Sequence, residues 1–481
     1  MCSSDLGQKY SRNMISYETD LPASFDLETG RNVKWIADLG TKTYATPIVA
    51  DNKVYICTNN DKPKDPRHKG DRGVLLCLNE EDGSLCWQLV VPKIKEDPYK
   101  DWPGVGMVSS AIVDDDHVYI VSNRGEVLCL DPDGLSDGND GPYQNEAEHM
   151  VPKGSKPVDL TDKDADIIWL FDLPNRIGVY PHDSAHCSIL SHNDFLYINT
   201  SSGLNDKHDS VRSPQAPCLI VLDKKTGRWL AKENEGIGPN IFHAAWSSPC
   251  LGEVNGKELI FYAGADGIVY AFEPLTSIPK NGEIQNLKKI WYFDCDPTAP
   301  KENIHQFIGN RKEGPSIIES MPVFYQDRVY VSGGGDIWWG KNTSWLQCID
   351  ASLSGNITEN GQIWSYPIDD HCVSTPSIYN DMIFIADCRG RIHCLNAKTG
   401  EPYWTHQTKK DIWSSTLVAD GKVYAGSLGG DFTILKADKN KNVLSSITLD
   451  SQIIGSPIVA NKTLYVTTME KLYSLAKTSK Q

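Results

Sequence analysis

Cys394-Leu395-Asn396-Ala397-Lys398-Thr399-Gly400-Glu401-Pro402-Tyr403-Trp404 and Cys77-Leu78-Asn79-Glu80-Glu81-Asp82-Gly83-Ser84-Leu85-Cys86-Trp87 are one eleven-residue phrase written twice. In each, an apolar strand runs into Asn, Gly follows four residues later, and Trp opens the next apolar stretch. Asp26/Gly30 and Asp223/Gly227 repeat the spacing. A short amide or carboxylate closes an Asx-type turn, and Gly takes the positive φ that a Cβ resists. Trp35, Trp87, Trp169, Trp291, Trp364 and Trp404 stand in step behind such turns, whereas Trp229 is displaced and Leu444 fills the place of another.

Each phrase follows a second recurring unit: a small-residue or proline start, a β-branched strand, a polar turn and an aromatic-ended strand. Eight copies start at Thr46-Pro47, Ser110-Ala111, Cys187-Ser188, Ser248-Pro249, Met321-Pro322, Thr375-Pro376, Ser415-Thr416 and Ser456-Pro457. Eight units of four alternating strands predict an all-β fold, an eight-bladed β-propeller of four-stranded antiparallel blades, because radial repetition hides strand edges. The last copy runs out at 472–476 without a fourth strand, while Val33–Leu39 is a strand without a unit. The N-terminal strand is therefore expected to complete the last blade, burying Trp35 and closing the ring. The domain reading is one propeller over 25–476, with tails at 1–24 and 477–481. Cys2-Ser3-Ser4-Asp5-Leu6 reads either as a short native tail or as a translated adapter end, and deleting residues 1–6 is expected to change nothing.

The last two repeat steps span 40 and 41 residues, but the first four span 61 to 77. A bare blade needs about 40–45, so the early blades carry insertions. In a four-stranded antiparallel blade, the loop leading into the first strand and the loop joining the second and third share a face. That face receives 59–72, 97–107, 174–186, 201–216, 236–246, 297–316 and 335–344, and loops on a rigid frame carry function. Segment 132–166 falls on the opposite face.

A net charge of −16 disfavours nucleic acid and anionic membrane surface. No apolar run approaches the roughly 18 residues of a membrane-spanning helix, and a monomer is expected. The thirteen cysteines contain no adjacent pair and no Cys-x-x-Cys. Cys77, Cys129, Cys348 and Cys394 share one repeat slot and read as small core residues.

Histidines concentrate on the decorated face. His182, Asp183, His186 and His208 offer nitrogen and oxygen ligands for zinc or a similar metal, and His243 adds polar lining. Trp246, Trp338, Trp339 and Trp413 present stacking planes suited to carbohydrate or peptide, with Gly333-Gly334-Gly335 freeing the loop of Trp338 and Trp339. Arg389 is a candidate basic ligand-binding residue. Asp131-Pro132-Asp133-Gly134 and the acidic residues after it are dense in oxygen ligands, as calcium loops are.

The repeat phrase resembles the quinoprotein-type repeat, Ala-x-Asp-x-x-x-Gly-x-x-x-Trp, with Cys for Ala and Asn for Asp at 77–87 and 394–404. The resemblance extends from Phe25 to Ala476 and is nearest to uncharacterised bacterial eight-bladed proteins of the quinone-binding-like type. It implies a periplasmic or envelope location and a choice of functions, because the family holds both quinone-dependent dehydrogenases and scaffold members such as the lipoprotein that assembles outer-membrane barrels. A dehydrogenase would need pyrroloquinoline quinone, a calcium ion, a basic partner such as Arg311 or Arg389, and stacking by Trp246 or Trp413. No calcium ligand set aligns on the sequence, and no cofactor is expected. The reading is a non-enzymatic binding or scaffold propeller that engages a protein or carbohydrate on the decorated face. The alternative is a quinone- or metal-dependent oxidoreductase with its site in the central depression.

Overall fold

The computed structural model describes residues 10–478, which form eight sheets, each built on four antiparallel strands as one blade of a β-propeller. Blade 1 is Ile48–Ala50, Lys53–Asn59, Arg72–Asn79 and Leu85–Pro92, from the inside outward. Blade 8 joins the two ends of the chain. Ile458–Ala460, Thr463–Thr467 and Lys471–Leu475 are completed by Val33–Asp38, which pairs antiparallel with the third strand in the register Trp35↔Ser474 and Asp38↔Lys471. Trp35 is buried there, and the N-terminal strand closes the ring as the repeat predicts.

The in-step tryptophans tie each blade to the next. Their indole N–H groups donate to main-chain carbonyls of the following blade: Trp35 to Glu80, Trp87 to Pro132, Trp169 to Lys224, Trp291 to Ala351, Trp364 to Ala397 and Trp404 to Asp438. The displaced Trp229 bonds instead to Ala231 on its own strand. Glycine in the turn is required twice over. Gly83 and Gly400 have φ near +74° and +75°, and a Cβ on either would meet the indole of Trp35 or Trp364 at 2.7 and 2.6 Å. Gly30 follows the blade that carries Leu444, and nothing lies over it.

A second belt links the inner strands. Their starting Ser and Thr hydroxyls accept from the amide of the preceding blade, as in Thr375 to Ser415, Ser415 to Ser456 and Ser456 to Thr46 at 3.0 Å each. The recurrent small polar start is thus an inter-blade fastening.

Residues 10–24 correct the expectation of a tail. Arg12 is buried, its Nε donating to the Pro249 carbonyl at 2.9 Å and its Nη2 to those of Ser188 and Ile189 at 2.8 and 3.2 Å. Asn13 exchanges bonds with Ile378, Phe324 N–H donates to the Ser11 carbonyl, and Ile15–Ser16 pairs parallel with Val418–Ala419. The segment satisfies main-chain groups of five innermost strands. Polarity hid it, because Arg and Asn read as solvated when their backbone partners lie far away in sequence. The expectation for residues 1–6 lies outside the described residues.

In the turn joining the second and third strands of blade 4, Asp266 is buried, accepting from Tyr270 Oη at 2.7 Å and the Ile268 amide at 3.2 Å. Burial pushes its carboxyl up from 3.8 to about 7 despite those donors. The native state therefore keeps a proton that the unfolded chain releases, so this group's stabilising contribution is complete below the ordinary carboxylate range and is lost as pH rises through about 7. Asp266→Asn should be insensitive to that loss. Its stability relative to the parent should rise by on the order of 3 kcal/mol between about pH 5 and pH 8 in chemical denaturation. A difference independent of pH would mean that Asp266 is ionised in the native protein.

Candidate functional site

The residue three places before each strand-start Pro, or its equivalent (Ala111, Ile189 and Thr416), points into the channel. Tyr44, Val108, His186 and Trp246 from blades 1–4 and Glu319, Val373, Trp413 and Ile454 from blades 5–8 all line one cavity of about 560 Å³. A second tier from the decorated-face loops completes it with Lys42, Trp102, Val105, Asp183, Ile337 and Trp338. A smaller cavity of about 180 Å³ shares Val108, His186, Trp246, Glu319 and Val373 and continues toward the Ser and Thr belt. Trp338 stands 5.8 Å from Trp246 and 5.9 Å from Trp413, both edge-on. The indole N–H groups of Trp246 and Trp413 are buried without an acceptor.

Beside this cavity, loops 174–186, 201–216 and 236–246 bring three imidazoles together. Ring centroids are 5.0 Å apart for His182 and His208, 5.0 Å for His182 and His243, and 5.9 Å for His208 and His243. Burial, then the neighbouring His243, pushes His182 down to about 3. Burial likewise lowers His208 and takes His186 to about 4, so these rings are neutral at physiological pH.

Two carboxylates back the cluster. Asp336 is buried, yet His243 and the amides of Trp338 and Trp339 outweigh burial and hold its carboxyl below the ordinary range. Glu319 is pushed well up by burial and by Asp336 beside it. Glu319 therefore carries the proton while Asp336 stays ionised. Asp183, at the cavity wall, is pushed up to about 6 by burial.

His182, Asp183 and His208 thus lie together, joined by His243. His186 is drawn away by its place in the channel ring, where it packs 4.9 Å from Trp246. Trp339 is beside His208 at 5.2 Å, outside the cavity lining. Arg389 also lies outside that lining. Its side chain is 58% exposed and its Nε donates to Asp370 at 2.9 Å. Arg311 donates to the Ile337 carbonyl. In the calcium-like loop, Asp133 is bound by Lys53. Every cysteine among the described residues is a free thiol, with Cys77, Cys129, Cys348 and Cys394 buried. Residue type alone does not single out Glu319 and Asp336. The signal for Glu319 is its repeat slot, filled elsewhere by apolar or aromatic groups or His186. The signal for Asp336 is its place two residues before Trp338, the spacing of an Asx turn.

A family model described as outer membrane protein assembly factor BamB matches residues 356–443 and 388–480. No curated protein sequence matches the chain. Among solved structures, BamB from Moraxella catarrhalis superposes with a TM-score of 0.53, at 11% identity over 91% of this chain and 98% of its own. A europium-containing methanol dehydrogenase gives 0.62, at 12% identity over 98% of each chain. Quinohemoprotein alcohol dehydrogenase from Comamonas testosteroni gives 0.50, at 14% identity over 100% of this chain and 81% of its own. At these identities the likeness is one of fold. Among the described residues, no helix is long and apolar enough to cross a membrane.

Proposed function

As a member of the PQQ-like β-propeller repeat family, the protein is, we propose, a non-enzymatic binding propeller of the bacterial cell envelope that takes a polyhydroxylated ligand, a carbohydrate, in its channel mouth. The observation that carries this reading is the pair of unpartnered buried indole N–H groups of Trp246 and Trp413 in the 560 Å³ cavity. Buried donors without acceptors are costly, and sugar oxygens would accept from both while the ring faces stack on indole. The scaffold likeness supports an envelope role.

The lining does not suit pyrroloquinoline quinone. The several carboxylates of that cofactor would find Lys42 as the single cation among the lining residues, with the carboxyl group of Asp183 beside them, and unpaired buried anions are costly. Titrating purified protein with oligosaccharides should shift tryptophan fluorescence saturably, and Trp413→Ala should weaken binding by about tenfold or more. A response to short peptides alone would replace carbohydrate with protein as the ligand. Saturable dye reduction with calcium, pyrroloquinoline quinone and an alcohol or aldose, abolished by chelation, would overturn the binding reading in favour of an oxidoreductase.

A further inference from the structure

His182 Nδ1 lies 2.9 Å from the Leu204 carbonyl, which can only accept, so Nδ1 carries the ring proton and Nε2 presents a bare lone pair. His243 Nδ1 lies 2.7 Å from Asp336 Oδ2, while Asp336 Oδ1 accepts the amides of Trp338 and Trp339 at 2.8 Å each. His243 therefore also carries a proton at Nδ1, which leaves Nε2 as its ligating atom. Both Nε2 atoms are buried, and neither has a hydrogen-bond partner.

His208 supplies a third ring nitrogen, and one nitrogen from each ring lies within 4.8 Å of the other two. Asp183 Oδ2 is 3.7 Å from His182 Nε2, and Asp183 Oδ1 is buried without a partner. Each unsatisfied buried acceptor costs about 1–3 kcal/mol. The backbone adds to the cost: φ is +58° at Asp183, +85° at Ser184 and +57° at His208, and none of these is glycine. Ring nitrogens and a carboxylate oxygen gathered at such expense without partners are relieved together by a cation, whose binding displaces any proton held at the ligating nitrogens.

We propose that His182, His208 and His243 ligate one divalent transition-metal ion of the zinc class, with Asp183 or a solvent molecule as the fourth ligand on the cavity side. Neutral imidazole with at most one carboxylate selects zinc, copper or nickel over calcium and magnesium, which prefer oxygen cages. The Asp336–His243 bond is the outer partner that fixes the tautomer and aim of a metal-bound imidazole, which makes Asp336 a positioning residue. Two other groupings lack this openness. Asp65, His68 and Asp164 are bridged by Arg67, and Asp133 in the 131–137 loop is bound by Lys53. The site borders the proposed carbohydrate cavity through Asp183 and does not depend on what that cavity binds.

Full-length protein stripped by chelator dialysis and titrated with cobalt(II) should develop the visible d–d bands of a four-coordinate centre, saturating at one equivalent and abolished by zinc. Zinc should also raise the melting temperature of the parent. His208→Ala, at a half-buried loop position, should abolish both responses, and Asp336→Asn should weaken binding by about 10–100-fold. Absence of bands in the parent, or bands of full intensity in both His208→Ala and His243→Ala, would overturn the site. Unchanged affinity in Asp336→Asn would overturn the positioning role. Oligosaccharide titration of His208→Ala separates the two proposals, since loss of metal with sugar binding intact leaves each standing on its own result.

Discussion

A chain beginning at Leu39 should lose the cooperative melting transition of the full-length protein. It lacks Val33–Asp38, and with it the ladder from Val33↔Leu475 to Asp38↔Lys471 that supplies the fourth strand of blade 8. It also lacks the Trp35 indole, whose N–H reaches the Glu80 carbonyl at 2.9 Å and binds blade 8 to blade 1. Removing a buried Trp side chain costs roughly 3–5 kcal/mol by itself, and the edge of Lys471–Leu475 is left unpaired beside it. Set against a whole-protein stability of about 5–15 kcal/mol, the loss leaves little margin. A chain beginning at Phe25 separates the two N-terminal contributions. It keeps the clasp but loses Arg12 and Asn13, and should fold and melt below the parent. If the Leu39 chain melted with the parent, the clasp would contribute nothing to closure.

Among single substitutions in the frame, Trp291→Ala should be one of the most damaging. Its ring is fully buried and its N–H reaches the Ala351 carbonyl of the next blade at 3.2 Å, so truncation leaves both a cavity and an unmet carbonyl, costing roughly 3–5 kcal/mol. Trp229→Ala removes the same side chain from a half-buried position where the indole bonds only to its own strand at 2.9 Å. It should cost less than about 2 kcal/mol. Denaturant midpoints of the two variants compare the same chemical change with and without an inter-blade dock. Equal losses would show that the dock adds nothing beyond burial of the ring.

The residues that set the fold speak to neighbours within a few positions. Asn396 accepts the Lys398 amide through its side chain and the Gly400 amide through its carbonyl, and Asp223 does the same for Thr226 and Gly227. Such short-range chemistry leaves a periodic trace, so blade number, the Gly and Trp spacing and the N-terminal closing strand could be read from the chain alone. The chain also indicated which loops are long and that histidines and tryptophans crowd them.

What only the tertiary structure decided is which of those residues meet. Arg12 finds its carbonyls 176 and 237 residues away, and Asp336 reaches His243 across 93. Those meetings are set by the angle at which eight blades close. Closure put His243 rather than His186 beside His182 and His208, because His186 belongs to the inner ring and faces the axis while His243 lies on the loop leading into the next blade. It also left Arg389 outside the cavity, where a sequence could only record that a cation was present.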